Sequence, residues 1–215
     1  MAQIITFLKP IYRFFFPNTG QYFKKEFSGY ESILDLGSGP GSGCGSPIQY
    51  CDASFKVGVE LFEPYLEQSQ KKGLHNKYIK EDIRRVDFPP KSFDLVMMID
   101  VLEHLSKEDG QRLLKKMGKW AKKKVVVFTP NGYVFQGTYD ENPLQAHRSG
   151  WSAEELREMG FKVYGANGLK GIRGHYAAIK YKPAFLWKII SDLTQKIVYY
   201  CPELAFDLLA VKMFK

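Results

Sequence analysis

Short apolar runs alternate with helical stretches through the middle of the chain. Residues 32–36 and 56–60 form the first two runs, and a weaker third covers residues 77–80. Residues 93–99 and 125–128 are almost continuously apolar, which is typical of strands buried on both faces. This alternation predicts a parallel β-sheet flanked by helices.

Further elements complete the predicted sheet domain. A basic helix is expected from about Ser106 to Lys122. Another begins at Ser152, since Ser152 and Glu155 have the spacing of a capping box. Two more strands are expected around residues 161–164 and 176–181.

The pattern changes near the C-terminus. Apolar residues from Leu186 to Tyr200 recur at helical spacing, with polar residues on the opposite face. Pro202 then breaks the helix, and residues 204–214 predict a second apolar helix. We therefore predict a domain over residues 1–182 and a C-terminal helical extension over residues 183–215.

Composition limits the class of protein. The chain has 215 residues, 45% hydrophobic and 25% charged, which fits one globular domain with an appendage. Its 31 basic and 23 acidic residues give a formal net charge of +8, and aromatic residues make up 15%. This combination alone is compatible with nucleic acid, with a membrane surface or with neither.

Cysteine usage and hydropathy predict an intracellular protein. Cys44, Cys51 and Cys201 are an odd number without metal-ligand spacing, so we expect neither a disulfide framework nor a metal site. No run of 18 apolar residues occurs. The apolar N-terminus is interrupted by Lys9 and Pro10 and does not resemble a secretory signal. A cytoplasmic location is the expectation.

The first strand runs directly into a loop with glycine at alternating positions. Residues 37, 39, 41 and 43 lack a Cβ atom, which lets the backbone approach a ligand closely. A dinucleotide fingerprint needs glycine at the first, third and sixth positions, and no register of this loop provides it. A P-loop is excluded because no Gly-Lys-Ser/Thr follows. A flexible loop without a ligand is the alternative.

Acidic residues follow the next three strands. Glu60 ends the second strand, where a carboxylate can accept hydrogen bonds from two ribose hydroxyls. Asp82 and Ile83 follow the third strand, where they can hold an adenine ring. Asp100 and Glu103 follow the fourth, in the sequence Asp-Val-Leu-Glu-His-Leu. Each signal is weak alone, but their order and spacing together are specific.

These motifs resemble those of the class I S-adenosylmethionine-dependent methyltransferases, in the style of the quinone-pathway and other small-molecule members. The similar segments are residues 35–41, 58–61, 81–83, 92–105 and 127–131. The resemblance implies an α/β fold, with a Rossmann-like, seven-stranded, mostly parallel sheet, an antiparallel last strand and helices on both faces. It also implies methyl transfer with S-adenosyl-L-methionine as the cofactor.

The resemblance assigns the cofactor contacts residue by residue. They are Asp35, Gly37, Ser38, Gly39 and Gly41 at the methionine portion, Glu60 at the ribose, Leu61, Asp82 and Ile83 at the adenine, and Ile99 and Asp100 near the sulfonium. One departure is that Cys44-Gly45-Ser46 stands where the family continues a helix. We therefore expect that helix to begin late, near Pro47.

Methyl transfer from a sulfonium needs mainly in-line positioning, and a base only where the acceptor is protonated, as a hydroxyl is. His147 is the predicted catalytic residue, as base or acceptor contact, because it lies in the long connection after the fifth strand. We interpret His104 as structural, His75 as a surface residue and His175 as a lesser candidate.

The same connection carries side chains suited to an acceptor pocket. We predict that Tyr133, Tyr139, His147, Arg148 and Trp151 build it. The expected acceptor is a small or lipid-like molecule, methylated at oxygen. The alternative is a protein that binds the cofactor but serves as a non-catalytic regulatory or assembly partner.

The basic residues fall largely on helical faces, and no zinc, RRM or helix-turn-helix signature occurs, so we expect no nucleic-acid partner. Residues 11–16 and 185–214 combine large apolar side chains with basic ones. Such segments can make peripheral contact with a membrane. Packing on the sheet domain and a homodimer contact are the competing interpretations.

Overall fold

The computed structural model describes residues 17–41, 47–138, 140–174 and 177–215, and the strands in these ranges form one sheet. The strands are β1 (Ser32–Leu36), β2 (Phe55–Val59), β3 (Lys77–Ile79), β4 (Phe93–Ile99), β5 (Ala121–Pro130), β6 (Lys162–Leu169) and β7 (Ala205–Met213). Their spatial order is β3-β2-β1-β4-β5-β7-β6. Neighbours among β1 to β5 pair parallel, whereas β7 is antiparallel to both β5 and β6. The predicted seven-stranded, mostly parallel sheet is confirmed.

Helices cover both faces of the sheet. They are α1 (Thr19–Phe27), α2 (Glu63–Lys72), α3 (Lys107–Trp120), α4 (Ala153–Glu158) and α5 (Ala184–Tyr200). Short 3-10 turns occur at Pro47–Tyr50, Leu102–His104, Pro143–Gln145, Lys170–Ile172 and Pro202–Leu204. Ser152 and Glu155 form the predicted capping box at the start of α4. No helix in the described ranges is long and apolar enough to cross a membrane.

The side chains of the central strands divide between two cores. On one face Leu34 and Val96 pack with α3, whose Trp120 is fully buried. On the other face Ile33 packs with Phe23 and Phe27 of α1. Because successive strand residues point to opposite faces, a strand that feeds both cores is apolar at almost every position.

The C-terminal strand corrects the prediction of a second apolar helix over residues 204–214. Residues 205–213 form β7, which pairs with β5 from Lys124–Met213 to Pro130–Asp207. β7 is buried on both faces and so lacks the alternation that distinguishes a strand from a helix. The boundary predicted at residue 182 is also wrong, because it separates β7 from the sheet that this strand completes.

Two other predicted elements differ in the structure. The described part of the strand expected over residues 176–181 contains no strand, only an isolated bridge between Arg173 and Ile179. The helix expected near Pro47 is a single 3-10 turn. The intervening Cys44-Gly45-Ser46 lies outside the described residues.

Helix α5 packs on the sheet through Ser191, Gln195, Val198 and Tyr199 and leaves a row of other apolar side chains exposed. Ser191 and Gln195 are buried. The Gln195 amide accepts a hydrogen bond from the Gly168 backbone at 2.9 Å and donates to the Gly165 carbonyl at 3.1 Å. The exposed side carries Phe185, Leu186, Ile189, Ile190, Leu193 and Ile197. The predicted C-terminal helix is therefore present, but its apolar stripe faces away from the core.

Candidate functional site

A cavity of about 970 Å³ opens at the carboxyl ends of the central strands. Its walls come from the loops after β1 to β5 and from β7. The connections from β1 and β4 run to opposite sides of the sheet, which makes this edge the topological switch point. Ligands of open α/β sheets bind at such a point, because the loops separate there and leave a crevice.

The glycine loop borders this cavity in a conformation that favours glycine. Gly37 has φ 70° and Gly39 has φ 59°, both in the left-handed region. A Cβ atom on Gly37 would lie 2.5 Å from Val101 Cγ2, whereas one on Gly39 would meet nothing within 4 Å. The buried Ser38 hydroxyl has no hydrogen-bond partner. The loop therefore offers a ligand both open space and an unused polar group.

Glu60 links the glycine loop to the end of β2. Its Oε2 accepts a hydrogen bond from the Gly39 backbone at 2.9 Å, and its Oε1 accepts one from the Phe62 backbone at 2.8 Å. Burial raises the pKa of this carboxyl group. Each oxygen keeps a lone pair, so the side chain is held in place and can still accept hydrogen bonds from a ribose.

Asp82 is fixed by its neighbour Arg84 at the other end of the cavity. The Arg84 Nε atom lies 3.0 Å from both carboxylate oxygens of Asp82, and Nη2 lies 2.5 Å from Oδ2. These hydrogen bonds lower the pKa of Asp82, so it is ionised and can accept from an amine. Ile83 beside it lines the cavity.

Asp35 supports the glycine loop from below through His75. The Nε2 atom of His75 lies 3.0 Å from Oδ2 of Asp35, and both side chains are buried. The interpretation of His75 as a surface residue is therefore wrong. Gly58 explains why the ring fits: a Cβ atom there would lie 3.0 Å from Cγ of His75. That glycine inside a strand is the signal the sequence offered.

Three carboxyl groups line the inner part of the cavity. Asp100 has φ 54°, which is rare for a residue with a side chain, and its exposed surface faces the cavity. Burial raises the pKa of Glu103 and of Asp207, the latter to about 8. Glu103 accepts a hydrogen bond from Thr129 Oγ1 at 2.9 Å. Asp207 was missed because its segment was assigned to a helix.

Two histidines lie beside these carboxyl groups. The rings of His104 and His147 have centroids 5.0 Å apart. Each Nδ1 faces a backbone carbonyl, that of Ala146 at 3.3 Å and that of Val134 at 2.6 Å. Burial lowers both pKa values, that of His104 to about 4, so both rings are neutral at pH 7. His104, interpreted as structural, thus lines the cavity with His147.

The predicted acceptor residues have divided outcomes. His147 and Arg148 line the cavity. Trp151 does not: it is 1% exposed, packs in the core, and donates from Nε1 to Ser149 Oγ at 2.9 Å. Tyr133 is exposed outside the cavity lining. Tyr139 and His175 lie outside the described residues. Sequence reasoning also missed lining residues that distant segments supply, among them Phe23, Tyr50, Arg173 and Phe206.

All eleven residues predicted to contact the cofactor line this one cavity. Their individual contacts with S-adenosylmethionine stay predictions. The residues present nevertheless fit that cofactor, because they provide an open glycine loop, a carboxylate at a strand end for the ribose and an ionised aspartate for the adenine amine. The sheet order and the cavity at its switch point are those of a ligand-binding α/β fold, and the groups that line the cavity suit a nucleoside.

Comparisons with known proteins agree with this class. A family model described as a methyltransferase domain matches residues 34–129. A curated relative, the phosphoethanolamine N-methyltransferase of Plasmodium falciparum, is 31% identical over an alignment of 103 residues that covers 45% of this chain. The chain spans only 37% of the length of that relative.

Solved structures show the same fold. A possible histamine N-methyltransferase from Thermotoga maritima matches with a TM-score of 0.58 at 18% identity, covering 100% of this chain and 96% of its own. An S-adenosylmethionine-dependent methyltransferase from Archaeoglobus fulgidus matches with a TM-score of 0.57 at 18% identity, covering 95% of this chain and 98% of its own. Magnesium protoporphyrin IX methyltransferase from Synechocystis, solved with S-adenosylmethionine bound, matches with a TM-score of 0.52 at 12% identity, covering 91% of this chain and 76% of its own. The match shows a methyltransferase domain over residues 34–129, and the solved structures show that the chain has the fold of S-adenosylmethionine-dependent methyltransferases. Both findings support S-adenosylmethionine as the cofactor. The placement of the chain in the quinone-pathway branch stays a prediction.

Replacing Glu60 tests the cofactor half of the site. We expect Glu60→Gln to weaken binding of S-adenosylhomocysteine at least about tenfold, because one or two hydrogen bonds to a charged group are worth about 1.5–3 kcal/mol each. Calorimetry measures the affinity. The matched control is Glu63→Gln, whose side chain is exposed and pairs only with Lys80 at 2.7 Å. Equal affinities in the two variants would contradict the assignment of Glu60.

Proposed function

We propose that the chain transfers a methyl group from S-adenosylmethionine to an oxygen atom of a small-molecule or lipid-like acceptor. The observation that carries this proposal is the continuity of the cavity, which runs from the glycine loop past Asp100 to His104 and His147. One cavity thus offers space for a cofactor and, at its methionine end, for a second molecule.

Residues of this chain prepare the reaction by positioning. When bound, S-adenosylmethionine supplies an electrophilic methyl group on a sulfonium. Glu60 and Asp82 hold the ribose and adenine ends, and the backbone at Gly39 approaches the methionine portion. In-line placement of the acceptor then provides most of the rate enhancement.

His147 is the proposed catalytic residue at the acceptor. Its Nδ1 atom donates to the Val134 carbonyl, so Nε2 carries the lone pair of the neutral ring. A hydroxyl acceptor can donate its proton there as the new carbon–oxygen bond forms. Val134 and Phe206 supply apolar lining that limits the access of water to this region.

The choice of an oxygen acceptor rests on the charge state of the cavity lining. The curated Plasmodium relative is named for methylation at nitrogen. Buried carboxyl groups such as Asp207 hold a proton more readily than usual, and a protonated carboxyl group does not attract an ammonium ion. Neutral imidazoles beside such groups favour a hydroxyl acceptor over a charged amine.

We further propose that α5 places the protein on an anionic membrane surface. The apolar side of α5 is exposed, with Ile189 47% and Leu193 51% accessible. Lys180 and Lys182 are exposed just before the helix, and Lys188 both belongs to it and lines the cavity. An apolar stripe flanked by basic residues suits a lipid interface, and a lipid-like acceptor would enter from the same side. The N-terminal apolar segment, residues 11–16, lies outside the described residues.

Labelled cofactor tests the reaction. We expect methyl transfer to a hydroxyl acceptor from a lipid or metabolite extract, and we expect His147→Ala to lower turnover at least about 100-fold, because base catalysis contributes about that much. The control is Phe135→Ala in the same connection, whose side chain is 67% exposed and does not line the cavity.

Two outcomes would contradict this proposal. Label found only on amines would overturn the assignment to oxygen. Tight binding of the cofactor with no labelled product in any extract would favour the non-catalytic alternative.

Sedimentation with phosphatidylserine-containing vesicles tests the membrane proposal. We expect the double variant Ile189→Ser/Leu193→Ser to bind vesicles at least about tenfold more weakly than the wild type. The reason is that burying one large apolar side chain in the lipid stabilises binding by about 1.5–3 kcal/mol. The matched control, Phe55→Ser/Met213→Ser, removes two exposed apolar residues away from α5. Equal vesicle binding by both variants, or a stable dimer that does not bind vesicles, would overturn the role of α5.

A further inference from the structure

Two segments that are distant in sequence meet at the inner end of the cavity. Glu103 and His104 belong to the 3-10 turn after β4, and His147 comes from the connection after β5. The Glu103 backbone carbonyl accepts hydrogen bonds from the Arg148 backbone at 2.8 Å and the Ser149 backbone at 3.1 Å. These bonds hold the turn and the connection in a fixed relation.

The three side chains converge on one point. Glu103, His104 and His147 each place one ligand atom within 4.8 Å of the other two. Donor atoms around one metal ion lie about 3.3 Å apart when the metal–ligand bonds are about 2.1 Å long, so the side chains need to move inward by about 1 Å. All three line the cavity: His104 and His147 are partly exposed in it, and Glu103 is buried at its wall.

The outer contacts of these residues are those of metal ligands. Each imidazole faces a backbone carbonyl with Nδ1, which orients the ring, and in His147 this leaves Nε2 as the unprotonated nitrogen. One oxygen of Glu103 accepts from Thr129 Oγ1 at 2.9 Å, which fixes the carboxylate and leaves the other oxygen available. Metal-bound histidines and carboxylates are held in this way by a second set of hydrogen bonds.

We propose that Glu103, His104 and His147 bind a divalent transition-metal ion. Two imidazole nitrogens and one carboxylate oxygen are donors that Zn²⁺, Mn²⁺ and Fe²⁺ accept. Three protein ligands facing a cavity leave further coordination positions open, as in catalytic metal sites. This proposal departs from the sequence prediction of no metal site, which considered the spacing of the cysteines; none of these three ligands is a cysteine.

A metal ion at this place would restrict the acceptor to molecules whose hydroxyl oxygen can coordinate it. This inference rests on the proposed function. A divalent ion held by these three residues would lower the pKa of an acceptor hydroxyl that coordinates it, so that the proton could pass to water. That oxygen would then bond to the methyl carbon as the bond from this carbon to sulfur breaks. His147 is in this case a ligand that positions the ion, and the favoured acceptors are those whose hydroxyl oxygen can coordinate a metal.

Titration with Mn²⁺, followed by electron paramagnetic resonance, tests the site without any acceptor. Mn²⁺ is used because thiolates such as the exposed Cys201 bind it poorly. We expect one Mn²⁺ per chain, and at least about tenfold weaker binding in His147→Gln and Glu103→Gln. Glu67→Gln, on the exposed side of α2, is the matched control and should bind as the wild type does. Unchanged binding of S-adenosylhomocysteine shows that the variants are folded.

Two results would overturn the metal site: no Mn²⁺ or Zn²⁺ bound up to about 1 mM, or equal Mn²⁺ affinity in His147→Gln and the wild type. Activity separates this inference from the proposed function. Full turnover of a hydroxyl acceptor by chelator-treated, metal-free protein would overturn the role of the ion in the reaction and leave the proposed function standing. The opposite result is also informative. If the protein binds Mn²⁺ specifically, loses this binding in His147→Gln and methylates no acceptor, the metal site is supported and the proposed function is contradicted.

Discussion

The backbone turn that follows β1 is the constraint on which the whole site depends. The amides of Gly37 and Ser38 donate to the Val59 carbonyl at 2.9 and 3.1 Å, and the Gly39 amide donates to Glu60. These bonds join the loop to the end of β2 and aim the Glu60 carboxylate into the cavity. A side chain at position 37 would collide with Val101, so the loop follows this path only because glycine stands there.

The acceptor half of the cavity depends on a different kind of constraint. Backbone hydrogen bonds from residues 148 and 149 to Glu103 bring the connection after β5 against the turn after β4. Burial then sets the chemistry, because it keeps the imidazoles neutral and raises the pKa of nearby carboxyl groups. The result is a region of convergent donors and acceptors with little fixed charge, suited to a hydroxyl group, an ion or both.

Local signals predicted the cofactor half of the molecule, whereas long-range pairing determined the rest. The glycine loop and Glu60 lie within one βαβ unit, where spacing along the chain fixes spacing in the fold. β7 was predicted as a helix because a strand buried on both faces has no alternation, and Asp207 was missed with it. Trp151 and His75 were misplaced because their burial depends on space left by Gly110 and Gly58, in other parts of the chain.

The central claim is that one cavity holds S-adenosylmethionine between the glycine loop and the ends of β2 and β3. A crystal structure of the full chain with S-adenosylhomocysteine tests it most directly. We expect both ribose hydroxyls within hydrogen-bond distance of Glu60 and the adenine amine facing Asp82. A nucleoside bound elsewhere, or in this cavity with the adenine at His147, would contradict the claim.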